Sequence, residues 1–201
     1  MQNPKYFVFE GPDGSGKSTL SKMFIDALVP FCSVASCAFP TKLTAPGKLI
    51  RQQFAGEVEI SERAMGYLML ADMVDYEPVI REALATRYVV SDRHTLISGT
   101  VYQTEVFGLD EILAIQQRQQ FTPPDRVFIL DVPTAVSAAR LSERTEKRNE
   151  LYEKVDPTFQ ERIRQKYLAY AIHHPHQCTI LDGTRPLEEN LARCLTWVAR
   201  V

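Results

Sequence analysis

The sequence has no long hydrophobic run. None of its apolar stretches approaches the ~20 residues that a membrane span requires, so a membrane protein is not expected. An excess of one charge is also missing. Lys and Arg number 23 against 25 Asp and Glu, a formal net charge of −2. That balance speaks against a protein that coats nucleic acid or lies on an anionic lipid surface. Cysteine is scarce, and Cys32, Cys37, Cys178 and Cys194 lack the spacing of a metal site. They read as reduced, buried thiols of a cytosolic chain. His173, His174 and His176 flank Pro175 and read as a solvated helix end, not as metal ligands. The opening Met1-Gln2-Asn3-Pro4-Lys5 has neither a secretory core nor an Arg/Ser-rich transit character, so a cytoplasmic location is expected. Internal repeats, low-complexity tracts and long linkers are absent, which suggests one domain over residues 1–201.

What is present begins at the apolar run Tyr6-Phe7-Val8-Phe9. It is followed by Glu10-Gly11-Pro12-Asp13-Gly14-Ser15-Gly16-Lys17-Ser18-Thr19, and then by Leu20, Phe24 and Leu28 at helical spacing. Gly11-x4-Gly16-Lys17-Ser18 satisfies the phosphate-binding loop pattern in its required strand–loop–helix setting. The glycines let consecutive backbone N–H groups turn inward on a phosphate chain. Lys17 would reach the β/γ-phosphates, the Ser18 hydroxyl would hold Mg²⁺, and the new helix would add its positive end. Residues Gly11 to Thr19 are therefore expected to bind ATP.

Short apolar strands alternate with helical segments along the rest of the chain. Strands are expected at 5–9, 32–39, 88–92, 127–132 and 178–181. Helices are expected at 17–29, 46–54, 61–86 (kinked before Pro78), 98–106, 110–121, 134–144, 157–172 and from Pro186 onward. This alternation indicates an α/β fold, a three-layer doubly wound parallel sheet of five strands. Ligands gather beyond the carboxyl ends of such strands. The segments Gly11–Ser18, Phe39-Pro40 and Asp92-Arg93, and the residues after Asp131, all fall there.

Two further stretches bear on the chemistry. Asp92, closing an apolar strand, is placed to position Mg²⁺, and Arg93 to point at a phosphate. Between Arg140 and Arg148 the chain is dense in charge, with Arg140, Arg144, Lys147 and Arg148. Phosphoryl transfer needs positive charge closing over the transferring group, which suits a mobile lid at about 142–155. A module that binds ATP only as a switch is the rival. The second set of acceptor-side features argues against it.

The phosphate-binding loop, Phe39-Pro40, Asp92-Arg93-His94 with Ser98 and Tyr102-Gln103, and Leu130-Asp131-Val132-Pro133 with Arg140 together resemble thymidylate kinase. The likeness covers roughly residues 5–185. It implies transfer of the ATP γ-phosphoryl group to dTMP with Mg²⁺, in a homodimer packed through the long helices. It further implies that Lys17 and the loop amides hold the ATP phosphates and that Arg140 lies against the adenine. Asp13 would face the acceptor sugar, and Arg93 would meet the acceptor phosphate. Gly14 stands where one branch of the family carries an arginine. In the branch with glycine the catalytic arginine comes from the lid, here Arg144 or Arg148.

The chain departs from the family pattern in the acceptor pocket. Met73 stands where the family has an arginine that grips the acceptor phosphate, and Met69 where it has a phenylalanine on the base. Lys42 is either the replacement cation or an ordinary surface lysine. One extra residue before Ser98 would rotate Ser98, Tyr102 and Gln103 by about 100° within a helix, or shift them little within a turn. A same-fold kinase acting on another deoxynucleotide, or on a base-modified dTMP analogue, is therefore the alternative.

Overall fold

The computed structural model describes residues 5–102, 109–143 and 157–198. Five consecutive residues without exposed surface, Tyr6–Glu10, form the central strand β1. A strand buried on both faces belongs in a parallel sheet covered on both sides, and that is where it sits. Strand β3 (Tyr88–Asp92) flanks it on one side and β4 (Arg126–Asp131) on the other. Strands β2 (Val34–Ala38) and β5 (Cys178–Asp182) form the edges. The order is β2-β3-β1-β4-β5, with every pairing parallel. The expected doubly wound α/β sheet is the one observed.

The helices are α1 (Lys17–Leu28), α2 (Ala45–Phe54), α3 (Glu62–Leu84), α4 (Thr95–Tyr102), α5 (Leu109–Gln119), α6 (Thr134–Ser142), α7 (Pro157–His173) and α8 (Leu187–Leu195). Period-two alternation along β1 sends its side chains into two cores. Phe7 and Phe9 join Leu20, Phe24, Phe128, Leu181 and Cys194 beneath α1 and α8. Phe24 lies 5.1 Å from Phe7 and 5.4 Å from Phe9, ring centre to ring centre. Tyr6 and Val8 join Met73, Ile80, Leu96, Ile97, Ile163 and Tyr167 beneath α3, α4 and α7.

Ser61 caps α3, its hydroxyl accepting from the Ala64 N–H at 3.3 Å. Proline has no N–H, so Pro78 releases the Val74 carbonyl from its ladder bond. The helix nevertheless continues from Glu62 to Leu84. One boundary differs from expectation. Helix α4 begins at Thr95, not Ser98, because Leu96 and Ile97 bury their side chains in the core as part of the first helical turn. Ser98 and Tyr102, one turn apart in α4, share a face. The carboxyl ends of β1, β2, β3 and β4 deliver Gly11, Phe39, Arg93 and Val132 to one edge of the sheet.

Candidate active site

The loop between β1 and α1 turns on glycines. Gly14 has φ +80°, and a Cβ there would fall 2.6 Å from the Ser137 carbonyl of α6. Both the backbone conformation and the close approach exclude the arginine that one branch of the family carries at this position. Gly11, at φ +143°, would place a Cβ 2.7 Å from the Leu130 carbonyl. The turn is held by the Ser15 N–H donating to the Pro12 carbonyl at 3.2 Å, and α1 starts from Gly16. Ser18 and Thr19 stand exposed in its first turn, with their hydroxyls at the positive helix end. Arg140 of α6 braces the loop. It donates to the carbonyls of Gly14 (3.5 Å) and Ser15 (3.3 Å), and to that of Gly183 beyond β5 at 3.0 Å.

Two cations meet over one carboxylate. Lys17, 6% exposed, donates to Asp13 Oδ1 at 3.3 Å and to the Pro12 carbonyl at 3.5 Å. Arg93, from the end of β3, pairs with the same Asp13 oxygen. Burial would raise the Asp13 pKa, but Arg93 and Lys17 together hold the carboxyl below its ordinary value. Burial and the neighbouring Arg93 lower the Lys17 pKa, against the pull of Asp13 and Asp92. Burial also opposes the charge on Arg93, yet Asp13, Tyr102, Tyr167 and Glu10 together outweigh it and its pKa is raised. Two cations from different elements are therefore brought together on Asp13, with the Asp92 and Glu10 carboxylates also acting on Lys17.

Beneath Arg93 lies a carboxylate that motif reading passed over. Glu10, the last residue of β1, has no exposed surface. It accepts from the His94 N–H at 2.7 Å, from Ser98 Oγ at 3.0 Å and from the Tyr167 hydroxyl at 2.9 Å, and its Oε2 lies 3.7 Å from Arg93 Nη1. Burial raises its pKa, partly opposed by Arg93 and by the His94 N–H. The only sequence signal was a charged residue closing an otherwise apolar strand. Tyr102 also belongs to this group, its ring centre 5.5 Å from the Arg93 guanidinium. Ser98 and Tyr102 are thus brought together with Arg93, as the sequence suggested.

The fold, a phosphate-binding loop with its lysine, and a strand-end Asp-Arg pair can now be set beside known proteins. The family description "Thymidylate kinase" matches residues 9–193, from within β1 to the last turn of α8. The chain belongs to the thymidylate kinase family. A probable thymidylate kinase of Methanocaldococcus jannaschii is 30% identical over 191 residues, covering 95% of this chain and 93% of the relative. The thymidylate kinase of Plasmodium falciparum is 30% identical over 187 residues, with 92% and 85% covered. That of Bordetella petrii is 30% identical over 189 residues, with 92% and 90% covered.

The remaining residues expected on the acceptor side divide. Phe39 is nearly buried, edge-on to Tyr76 at 5.7 Å, and is joined to Pro40 by a cis peptide. Its N–H donates to the Asp92 carbonyl at 3.0 Å, which ties this loop to the end of β3. The next turn is fastened from α3. Asp72, fully buried, accepts from the Thr41 N–H (2.7 Å) and hydroxyl (2.6 Å) and from the Thr44 hydroxyl (2.5 Å). Arg51 of α2 donates to the carbonyls of Pro40 and Thr41. Lys42 is exposed and lines a surface depression of about 380 Å³ with Lys48, Arg51, Gln52 and Glu57. It shares that depression with three residues of α2. Met69 is half-buried. Met73 has no exposed surface and packs in the α3/α4/α7 core, so it offers the crevice no surface of its own in this arrangement. Gln103, Arg144 and Arg148 lie outside the described residues.

Asp92 bears on the metal. Its Oδ1 is buried and accepts no hydrogen bond. A buried carboxylate oxygen left without a donor, and the exposed hydroxyl of Ser18 in the first turn of α1, are hard oxygen donors of the kind that Mg²⁺ takes. The residues fit the ion.

Proposed function

We propose that the chain transfers the γ-phosphoryl group of ATP to dTMP, giving ADP and dTDP. The observation that carries this reading is the pairing of Lys17 and Arg93 on Asp13. One cation belongs to the triphosphate loop and the other to the acceptor side, and they converge on one point. Phosphoryl transfer asks little covalent chemistry of a protein and much electrostatic positioning. Lys17 and the amides from Gly11 to Thr19 hold the donor phosphates, with Pro12, Ser15 and Gly16 shaping the loop. Arg93 neutralises the acceptor phosphate. Asp13, released from its cations as the phosphates arrive, is free to accept from the acceptor sugar.

Phe39 and Pro40 wall the acceptor pocket together with Met69, while Ser98 and Tyr102 carry its polar side. Arg140, already beside the loop, supports the adenine. A further cation comes from Arg144 or Arg148. Ser18 and Asp92 would hold Mg²⁺, which when bound supplies charge neutralisation between the phosphates. A homodimer through α3 is supported by Tyr67 and Val74, exposed two turns apart on one face of that helix. Among the described residues no helix is long and apolar enough to cross a membrane, and a cytoplasmic enzyme is part of this proposal.

The decisive experiment is a coupled ADP-release assay with Mg²⁺-ATP and, in turn, dTMP, dUMP, dCMP, dGMP and 5-substituted dUMPs. dTMP is expected to give the highest kcat/KM. A negligible dTMP rate beside a high rate with another nucleotide would move the acceptor assignment. No monophosphate-dependent ADP at all would overturn the kinase reading.

A further inference from the structure

A carboxylate with no access to water is expensive to place at the end of a central strand, where Tyr6 and Val8 show that apolar side chains fit the same face. Glu10 is tolerated because donors converge on it from three elements: the His94 N–H after β3, the Ser98 hydroxyl of α4 and the Tyr167 hydroxyl of α7. Each of these groups also bears on Arg93. His94 is the next residue, Ser98 lies one helical turn further on, and the Tyr167 oxygen accepts from Arg93 Nη1 at 3.0 Å while donating to Glu10 at 2.9 Å.

The Arg93 backbone is unusual as well. Its φ is +70°, a left-handed conformation that residues with a Cβ rarely adopt. Three hydrogen bonds pin it there. The Arg93 N–H donates to the Phe9 carbonyl at 2.9 Å, Ser91 Oγ donates to the Arg93 carbonyl at 2.5 Å, and the His94 N–H donates to Glu10. Glu10 therefore acts on Arg93 twice, through the backbone turn that aims the side chain and through the guanidinium itself.

We infer that Glu10, with Tyr167 as its relay, is a positioning residue that holds the inner edge of the Arg93 guanidinium while its outer edge engages the acceptor phosphate. This rests on the assignment of Arg93 to the acceptor. The division of labour follows from the geometry. Nη2 faces Asp13 at the crevice, and Nη1 faces Tyr167 and Glu10 beneath it. When a phosphate takes the outer edge, the Asp13 contact is competed away and the buried pair remains.

The test uses the full chain with Tyr167→Phe, Glu10→Gln, Arg93→Ala and the two double variants carrying Arg93→Ala. Tyr167→Phe removes one hydroxyl and keeps the ring in the core, so it remains informative even where Glu10→Gln does not fold. The expected result is a loss of roughly 10-fold or more in kcat/KM for dTMP in each single variant, with ATP affinity, read by calorimetry, within about 2-fold of wild type. In the Arg93→Ala background the same changes should cost less than about 2-fold, because the group they position is gone. Equal losses with and without Arg93, or no loss with it, would overturn the positioning role alone. Wild-type dTMP kinetics in Arg93→Ala would instead remove the acceptor assignment, and the inference with it.

Discussion

The two faces of β1 have been put to different uses. Toward α1 and α8 the strand presents Phe7 and Phe9, and the cluster around them is aromatic and aliphatic throughout. Buried polar groups are sparser there: Asn190 donates to the Asp182 carbonyl at 2.8 Å, and its buried Oδ1 accepts no hydrogen bond. Toward α3, α4 and α7 the same strand presents Tyr6, Val8 and then Glu10, and the packing holds buried Asp72, Glu77 and His94. This is the face on which an arginine adopts a positive φ and a histidine is buried with both ring nitrogens lacking hydrogen bonds. The buried carboxylates and the strained arginine collect on the side where side chains must be aimed.

That contrast can be broken most severely at the mouth of the crevice. Lys17→Ala should reduce turnover at least ~10³-fold, on the order of 4 kcal/mol of transition-state stabilisation, while leaving Arg93 still paired with Asp13. Steady-state assays beside a thermal melt will separate the two effects, and a parallel collapse of Tm would refute the separation.

On the apolar face the expected effect is the reverse. Phe24→Ala removes a fully buried ring that contacts Phe7, Phe9 and Phe128, and should cost about 3–5 kcal/mol in urea unfolding. The turnover of the molecules that remain folded should not change.

His94 sharpens the comparison through pH. Its ring lies between Tyr6 (6.0 Å) and Phe39 (6.5 Å), and burial lowers its pKa from 6.5 to about 4. The unfolded chain therefore takes up a proton that the folded chain refuses between those values. Stability is fully present above pH 6.5 and is lost as pH falls toward 4, by about 3 kcal/mol in all. Glu10, with its pKa raised, acts in the opposite sense, so the quantity to measure is the difference between wild type and His94→Phe in urea titrations at pH 7 and pH 4.5. Parallel curves for the two proteins would show that His94 is not the titrating group. The smallest effect belongs to Cys194→Ser under α8. There a hydroxyl would enter a fully buried apolar site, at a cost of roughly 1–3 kcal/mol.

Much of this was readable from the residues in order. The five strands and the helices between them lie within a few residues of their expected places, because apolar periodicity, proline and glycine act over short distances. The phosphate-binding loop pattern was legible for the same reason: it is written in consecutive residues between one strand and the next helix. The start of α4 was misplaced because the polar-looking Thr95 opens a turn whose next two residues, Leu96 and Ile97, are drawn into the core. Lys42 can be read as a phosphate ligand or as a surface lysine, because a lone lysine carries no signal of what its flexible side chain meets. Met73 was counted in the acceptor pocket from its position in the family pattern, and its side chain is fully buried in the same cluster as Phe39.

The linear chain by itself determined the α/β alternation, the triphosphate loop and the Asp92-Arg93 strand end, since each is written in neighbouring residues. Only the tertiary structure decided what lies under Arg93. Glu10 meets the His94 N–H across 84 residues and the Tyr167 hydroxyl across 157, and joins its partners only when β1, β3 and α7 pack together. The physical reason is range: backbone preference and hydrophobic period act within a few positions, whereas compensation of a buried charge depends on whichever donors the folded layers bring to it.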